Sequence, residues 1–187
     1  LAGLAAGLRK GGRRWEAAAA FALAQCRGHS PSLQAAALQF FFRASQTLPE
    51  SHPLRAALER LQQEELVLPL PSLRYRYARV CGVPAEQAVL ALSGEEVSDI
   101  LLDNLKTATP WMIKVVNVEL LSRYAACGLG SAMQIAAHFA NLIRVSEAVV
   151  VRQRAGRALL GIAPRLTSDQ RNEIAVELAK ALESGHY

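Results

Sequence analysis

The sequence predicts an all-α protein built from antiparallel helix pairs. Its 187 residues are 51% hydrophobic but only 6% aromatic, and 8 prolines divide the chain into blocks of helix length. Apolar residues recur with the period of a helix, and the alternation that would indicate strands is absent. Each helix therefore has one apolar face to bury, and short connections make successive helices antiparallel.

In the N-terminal half, prolines predict where helices begin. Proline suits the first turn of a helix and disfavours helical geometry in the residue before it. Four helices are predicted on this basis, spanning approximately residues 31–45, 53–65, 71–81 and 84–92.

In the C-terminal half, capping residues predict five further helices. Ser93 and Glu96 have the spacing of a capping box, which opens a helix to residue 106. A helix beginning at Thr109-Pro110 is ended by Gly128 and Gly130, because glycine readily adopts the left-handed conformation. The other predicted helices span 131–143 with Ser131 as cap, 146–163 with Ser146 as cap, and 167–183 with a Thr167/Gln170 capping box.

The C-terminal half repeats itself at a spacing of 38 to 39 residues. Residues 135–143 match residues 174–182 at a shift of 39, and the preceding helices align at 38. A two-helix unit with this period is typical of an α-solenoid, in which each hairpin stacks on the next. We therefore expect at least two stacked hairpins over residues 94–184. Their predicted core residues are Leu101, Leu121, Phe139, Leu159, Leu178 and Leu182.

Residues 147–163 carry the most specific pattern in the chain. It consists of Val151-Arg152, then Ala155, then Ala158-Leu159 followed by small Gly161. In this the chain resembles a HEAT repeat, most clearly over residues 131–184. It departs from the family pattern before Val151, where residues 144–146 stand in place of the common aspartate.

The HEAT resemblance implies a right-handed α-solenoid of stacked antiparallel helix hairpins. Residues 84–187 would form one continuous solenoid of HEAT-like repeats. Residues 1–83 would form an N-terminal helical region, made of divergent hairpins or of a cap. The resemblance further implies a non-enzymatic scaffold that binds another macromolecule, above all a protein, through the concave face formed by one helix of each hairpin.

Positive charge is concentrated in the N-terminal half. Residues 1–93 hold 11 Lys/Arg against 6 Asp/Glu, whereas residues 94–187 hold 10 of each. The densest cluster is Arg9, Lys10, Arg13 and Arg14, directly after the apolar residues 1–8. Beyond a solvated segment, two interpretations are open: a surface for nucleic acid or anionic lipid, or the cytoplasmic end of a membrane anchor further upstream. Nucleic-acid binding through this surface is the alternative function, and it predicts steep weakening with salt.

The sequence contains no catalytic, cofactor or metal-binding motif. Glycine-rich phosphate loops and HExxH are absent, and we disfavour an active site built across distant helices. His138 is predicted on a solvated face, because Glu177 takes its place in the next repeat. Cys26, Cys81 and Cys127 lack metal-ligand spacing, which favours free thiols and a cytoplasmic protein. The longest uncharged stretch near the start, residues 17–25, is too short to span a membrane.

Five candidate binding residues lie in one short segment. Tyr75 and Tyr77 alternate with Arg74, Arg76 and Arg79. Nucleic-acid grooves use such a mixture for stacking and phosphate contact, and the same mixture is common at helix-packing edges. Both interpretations are open for this segment.

Other candidates are spread along the chain. Trp111 is either a stacking platform or, as we favour, a plug between helix layers. Arg152 is predicted to support packing between repeats, while Arg154 points elsewhere and is a further candidate for binding. Residues 40–42 are three consecutive phenylalanines, which cannot all face one side of a helix. At least one should face a second helix layer or a partner.

Overall fold

The computed structural model describes residues 14–50, 52 and 54–183. This part of the chain is helical and contains no strand, as the sequence predicts. The chain divides between Pro84 and Ala85 into two compact units, here called the N-terminal unit and the C-terminal unit. Within the described residues, every helix is too short or too polar to cross a bilayer.

Four helices form the described part of the N-terminal unit. They are α1 (Arg14–Arg27), α2 (Pro31–Thr47), α3 (Leu54–Gln62) and α4 (Pro71–Val80). The last three begin at or beside the predicted prolines. The sequence pattern missed α1, because neither proline nor a cap marks its start.

Helix α2 is the centre of the N-terminal unit and packs against the other three helices. Phe40 and Phe41 are buried, and their rings meet edge to face with centroids 5.3 Å apart. Phe42 faces α4, where it contacts Arg76. The prediction that three consecutive phenylalanines reach more than one neighbour is confirmed.

A buried glutamine on α2 joins three segments of the N-terminal unit. Gln34 Nε2 donates to the carbonyls of Gly28 (2.8 Å), Val67 (3.0 Å) and Cys26 (3.3 Å). These carbonyls belong to the end of α1, the turn after it, and the extended connection between α3 and α4. Buried carbonyls need donors, and one side chain supplies them here.

Six α-helices form the described part of the C-terminal unit. They are α5 (Ala85–Leu90), α6 (Gly94–Leu105), α7 (Trp111–Ala126), α8 (Ala132–Val145), α9 (Val149–Ile162) and α10 (Ser168–Glu183), with a 3-10 turn at Ala163–Arg165.

Three of the four predicted side-chain caps are confirmed. They are the Ser93/Glu96 capping box, the Thr167/Gln170 capping box and Ser131, which accepts from the Gln134 amide. The fourth prediction is wrong, because α8 continues to Val145 and Ser146 becomes its C-cap. Helix α9 consequently begins at Val149 without a side-chain cap.

The turn after α7 requires glycine at two positions. Gly128 has φ +74° and Gly130 has φ +64°, in the left-handed region that the sequence predicts for them. A Cβ atom on Gly130 would also lie 2.9 Å from Cε1 of Tyr124. Gly130 therefore meets a conformational and a steric requirement together.

Alternate helices of the C-terminal unit pack side by side in two rows. Helix α7 contacts α5 and α9, and helix α8 contacts α6 and α10. Helix α8 also packs against α7 and α9, which joins the rows. Gly94 to Ala132 and Trp111 to Val149, the starts of α6 to α8 and of α7 to α9, are both 38 residues apart. This is the spacing that the sequence predicts.

The predicted core residues differ in depth. Leu121, Phe139 and Leu159 are buried as predicted. Leu101 and Leu178 are only half-buried, because α6 and α10 are the end helices of their row and each has one row neighbour. Leu182 was also predicted, and its side chain lies outside the described part.

Three polar side chains are buried in the core of the C-terminal unit. Asn117 Nδ2 donates to Asn104 Oδ1 at 3.2 Å, which links α7 to α6. His138 is 8% exposed, so its predicted place on a solvated face is wrong. The analogy with Glu177 failed because α8 has a row neighbour on both sides, whereas α10 has one. Burial, with a smaller contribution from Lys114, lowers the pKa of His138 from 6.5 to about 4.

We predict that stability falls as the pH drops from 6.5 towards 4. The unfolded chain binds a proton at His138 in this range while the folded chain does not. The loss should reach about 3 kcal/mol in unfolding free energy. Urea unfolding of the wild type and of His138→Met between these pH values measures it, because the carboxylates titrate alike in both proteins. Parallel pH profiles for the two proteins would contradict a buried neutral imidazole.

Candidate functional site

The basic and aromatic residues of α4 lie mainly against the rest of the N-terminal unit. Tyr75 and Arg76 are each 1% exposed, so neither reaches a ligand in this structure. Arg74 is exposed, but its Nη1 donates to the carbonyls of Leu68 (3.1 Å) and Pro69 (3.4 Å). The alternation predicted as a nucleic-acid groove is here used for helix packing and for contacts to the preceding connection.

Phe42 of α2 lies against two arginines of α4. The guanidinium carbon is 4.4 Å from the ring centroid for Arg76 and 5.7 Å for Arg79. Arg79 Nη1 also donates to the Val83 carbonyl at 2.6 Å. A cation over an aromatic face is attracted by the ring quadrupole, more strongly where water is excluded. This cluster of Phe42, Arg76 and Arg79 stabilises the contact between α2 and α4.

Tyr77 anchors α4 to the connection after α3. Its hydroxyl donates to the carbonyls of Leu61 (2.9 Å) and Glu64 (2.6 Å). Burial, followed by the influence of Cys81, raises the pKa of Tyr77 to about 12. The hydroxyl therefore stays protonated and keeps its role as a donor.

Two of the three free cysteines have thiols that resist ionisation. Burial, followed by the negative charge of Glu64, raises the pKa of Cys26 to about 12. Burial also raises the pKa of Cys81, against a lowering by the Tyr77 hydroxyl. Because the thiolate is the reactive form, both groups are poor nucleophiles and poor metal ligands near neutral pH.

Trp111 is half exposed at the start of α7, so the interpretation of this residue as a plug between layers is wrong. It is the first helical residue after Pro110 and stands at the end of the helix, where fewer neighbours surround it. The connection before it is tied back to α6, since Thr109 Oγ1 donates to the Asp103 carbonyl at 2.8 Å. A large apolar ring is thus presented at a well-defined place.

The arginines of α9 have different surroundings. Arg152 Nη1 donates to the carbonyls of Ser146 (2.6 Å) and Glu147 (3.1 Å). It therefore holds the connection between α8 and α9, and not the contact between repeats that the sequence predicts. Arg154 and Arg157 are exposed and form no hydrogen bond or ion pair with other described residues.

Sequence reasoning missed an exposed apolar stripe on α6. Leu102 is 58% exposed and Leu105 is 52% exposed, although the apolar period assigned Leu105 to the buried face. The signal was present in Glu95 and Asp99, which precede the two leucines on the same stripe of the helix. Acidic residues in line with leucines indicate a surface that is not part of the core.

Several functional expectations have no counterpart in the described residues. Arg9, Lys10 and Arg13 of the basic cluster lie outside them, and Arg14 enters only as the first residue of α1. In the part of the chain that is described, no three His, Cys, Asp or Glu side chains converge as metal ligands would. The chain matches no family model, no curated protein and no solved structure.

We predict that Tyr77→Phe destabilises the N-terminal unit by about 1 to 2 kcal/mol, because two buried carbonyls lose their donor. The matched control is Tyr124→Phe, since the Tyr124 hydroxyl forms no hydrogen bond among the described residues. This control should change the unfolding free energy by less than about 0.5 kcal/mol. Chemical denaturation of both variants measures the difference. Equal losses would show that the Tyr77 bonds contribute nothing.

We predict that Arg152→Ala lowers the Tm by about 3 to 6 °C, because it removes two bonds to backbone carbonyls. Arg154→Ala should shift the Tm by less than about 1 °C, since Arg154 is exposed and makes no such bond. Differential scanning calorimetry of the two single variants tests this. An equal shift in both would contradict the surroundings described for α9.

Proposed function

We propose that the chain is a non-enzymatic HEAT-like scaffold that binds another protein through its concave face. In this proposal residues 84–187 form a right-handed α-solenoid of stacked antiparallel hairpins, and residues 1–83 form divergent hairpins or a cap. The observation that carries the proposal is the alternating packing of the C-terminal unit at a period of 38 residues. Packing of each helix on the next but one is how a solenoid extends its core.

The row formed by α5, α7 and α9 is the better candidate for the concave face. Every helix of this row exposes a large apolar side chain. These side chains are Leu90 on α5, Trp111 on α7, and Val149 and Leu160 on α9. Single exposed apolar residues are ordinary, but their presence on each helix of a row favours a surface that another protein covers.

The surroundings of the arginines favour a protein partner over nucleic acid. Arg76 and Arg79 are engaged with Phe42, and Arg74 is bonded to backbone carbonyls. The exposed groups on the row of α5, α7 and α9 include aliphatic and aromatic surface, which protein interfaces use.

A non-enzymatic role in the cytoplasm fits the cysteines. The raised pKa values of Cys26 and Cys81 leave these thiols without nucleophilic character. All three cysteines are free, which suits a reducing compartment.

Site-specific photo-crosslinking in cells of the source organism tests the proposal. Photoreactive benzoylphenylalanine replaces Trp111 in one variant and Glu173, an exposed residue of α10, in the matched control. We expect an adduct from position 111 that protease removes and nuclease leaves intact, and no such adduct from position 173. A nuclease-sensitive adduct would favour the nucleic-acid alternative. An equally strong adduct from position 173 would contradict the choice of face.

A further inference from the structure

One flank of α6 is acidic and apolar and has no helix against it. Glu95, Asp99, Leu102 and Leu105 follow one another at steps of three or four residues, which places them on one stripe of the helix. Leu102 and Leu105 are both more than half exposed. Glu95 and Asp99 are exposed and form no hydrogen bond or ion pair with other described residues. We call these four residues the acidic flank.

The next helix of the same row shows what the acidic flank lacks. At the repeat of 38 residues, Ala140 and Ile143 of α8 correspond to Leu102 and Leu105. Ala140 is buried and Ile143 is half-buried, because neighbouring helices cover α8. The acidic flank is therefore a helix surface of the kind that receives another helix, and in one copy of the chain it receives none.

A second flank, on α9, has the opposite charge. Val150, Arg154, Arg157 and Leu160 also follow one another at steps of three or four residues. Leu160 is 74% exposed and Val150 is 37% exposed, and the two arginines are without partners in the described part of the chain. We call these four residues the basic flank.

We propose that the acidic flank of one copy of this chain binds the basic flank of a second copy. The two flanks are complementary in charge, because α6 carries four carboxylates and no cation while α9 carries three arginines and no carboxylate. Each stripe covers ten helical steps, or about 15 Å, and each contains two exposed apolar side chains. Carboxylates on one helix can pair with arginines on the other while leucines meet valine and leucine.

The charges also select the geometry of association. Two basic flanks facing each other would bring four unpaired arginines together, and two acidic flanks would do the same with carboxylates. The favoured contact therefore joins different surfaces, head to tail. Such a contact leaves one flank of each kind open at the ends of the assembly, so copies add in a chain.

This inference does not depend on the proposed protein partner. Arg154, a candidate binding residue from the sequence, would here contact a second copy. A failure of self-association would leave the crosslinking result at position 111 untouched, and a failure at position 111 would leave self-association untouched.

Sedimentation velocity of the full chain from about 1 to about 100 µM tests the proposal. We expect the average mass to rise with concentration and to fall when salt screens the charges. Glu95→Lys with Asp99→Lys reverses the acidic flank, and Arg154→Glu with Arg157→Glu reverses the basic flank. Each double variant alone should associate at least about tenfold more weakly. An equimolar mixture of the two should associate again, because each supplies the flank that the other now requires.

The matched control changes the same charge elsewhere. Asp169→Lys with Glu173→Lys alters two exposed carboxylates of α10 with the same spacing, one of them also in the first turn of its helix. This control should associate like the wild type. Circular dichroism establishes that each variant keeps its helices. Leu102→Ser with Leu105→Ser should weaken association without changing any charge.

Four results would overturn the proposal. They are a wild type that stays monomeric over the whole range, a mass that stops at two copies, a control that weakens association as much as the flank variants, and a mixture that fails to associate although both variants are folded.

Discussion

Every helix of the C-terminal unit depends on a neighbour two elements away to cover its apolar face. Small residues such as Ala136, Ala140 and Ala155 lie at this contact and are buried. A helix with neighbours on both sides buries whatever it carries there, including the imidazole of His138. A helix at the end of a row leaves leucines exposed, as α6 does with Leu102. Place in the row therefore decides burial as much as the hydrophobicity of the side chain does.

The N-terminal unit is held together by a different kind of contact. An extended connection links α3 to α4, and its carbonyls find no partner in a helix. Side chains supply the donors instead: Gln34 from α2, and Arg74 and Tyr77 from α4. This explains why α4 mixes arginine and tyrosine. The polar ends reach backbone, while the apolar parts of the same side chains pack on α2.

The sequence was sufficient to predict the helices, because prolines, capping boxes and glycines act on the residues next to them. Ser146 was misassigned because a serine between two helices can end one or begin the other, and packing decides which. The surroundings of His138, Trp111 and Arg76 were not predictable, since they depend on neighbours that are distant in the chain. The repeat spacing indicated which helices are equivalent. It did not indicate which of them stand at the end of a row.

The bonds of Gln34 bear on the order in which the N-terminal unit folds. Its contacts with Cys26 and Gly28 close loops of 8 and 6 residues, but the contact with Val67 spans 33. Short loops close early at little entropic cost, whereas the long one requires α3 and the connection after it to be in place. The last bond thus acts as a latch that forms after the folding barrier. Its loss would shorten the lifetime of the native state and leave the speed of folding nearly unchanged.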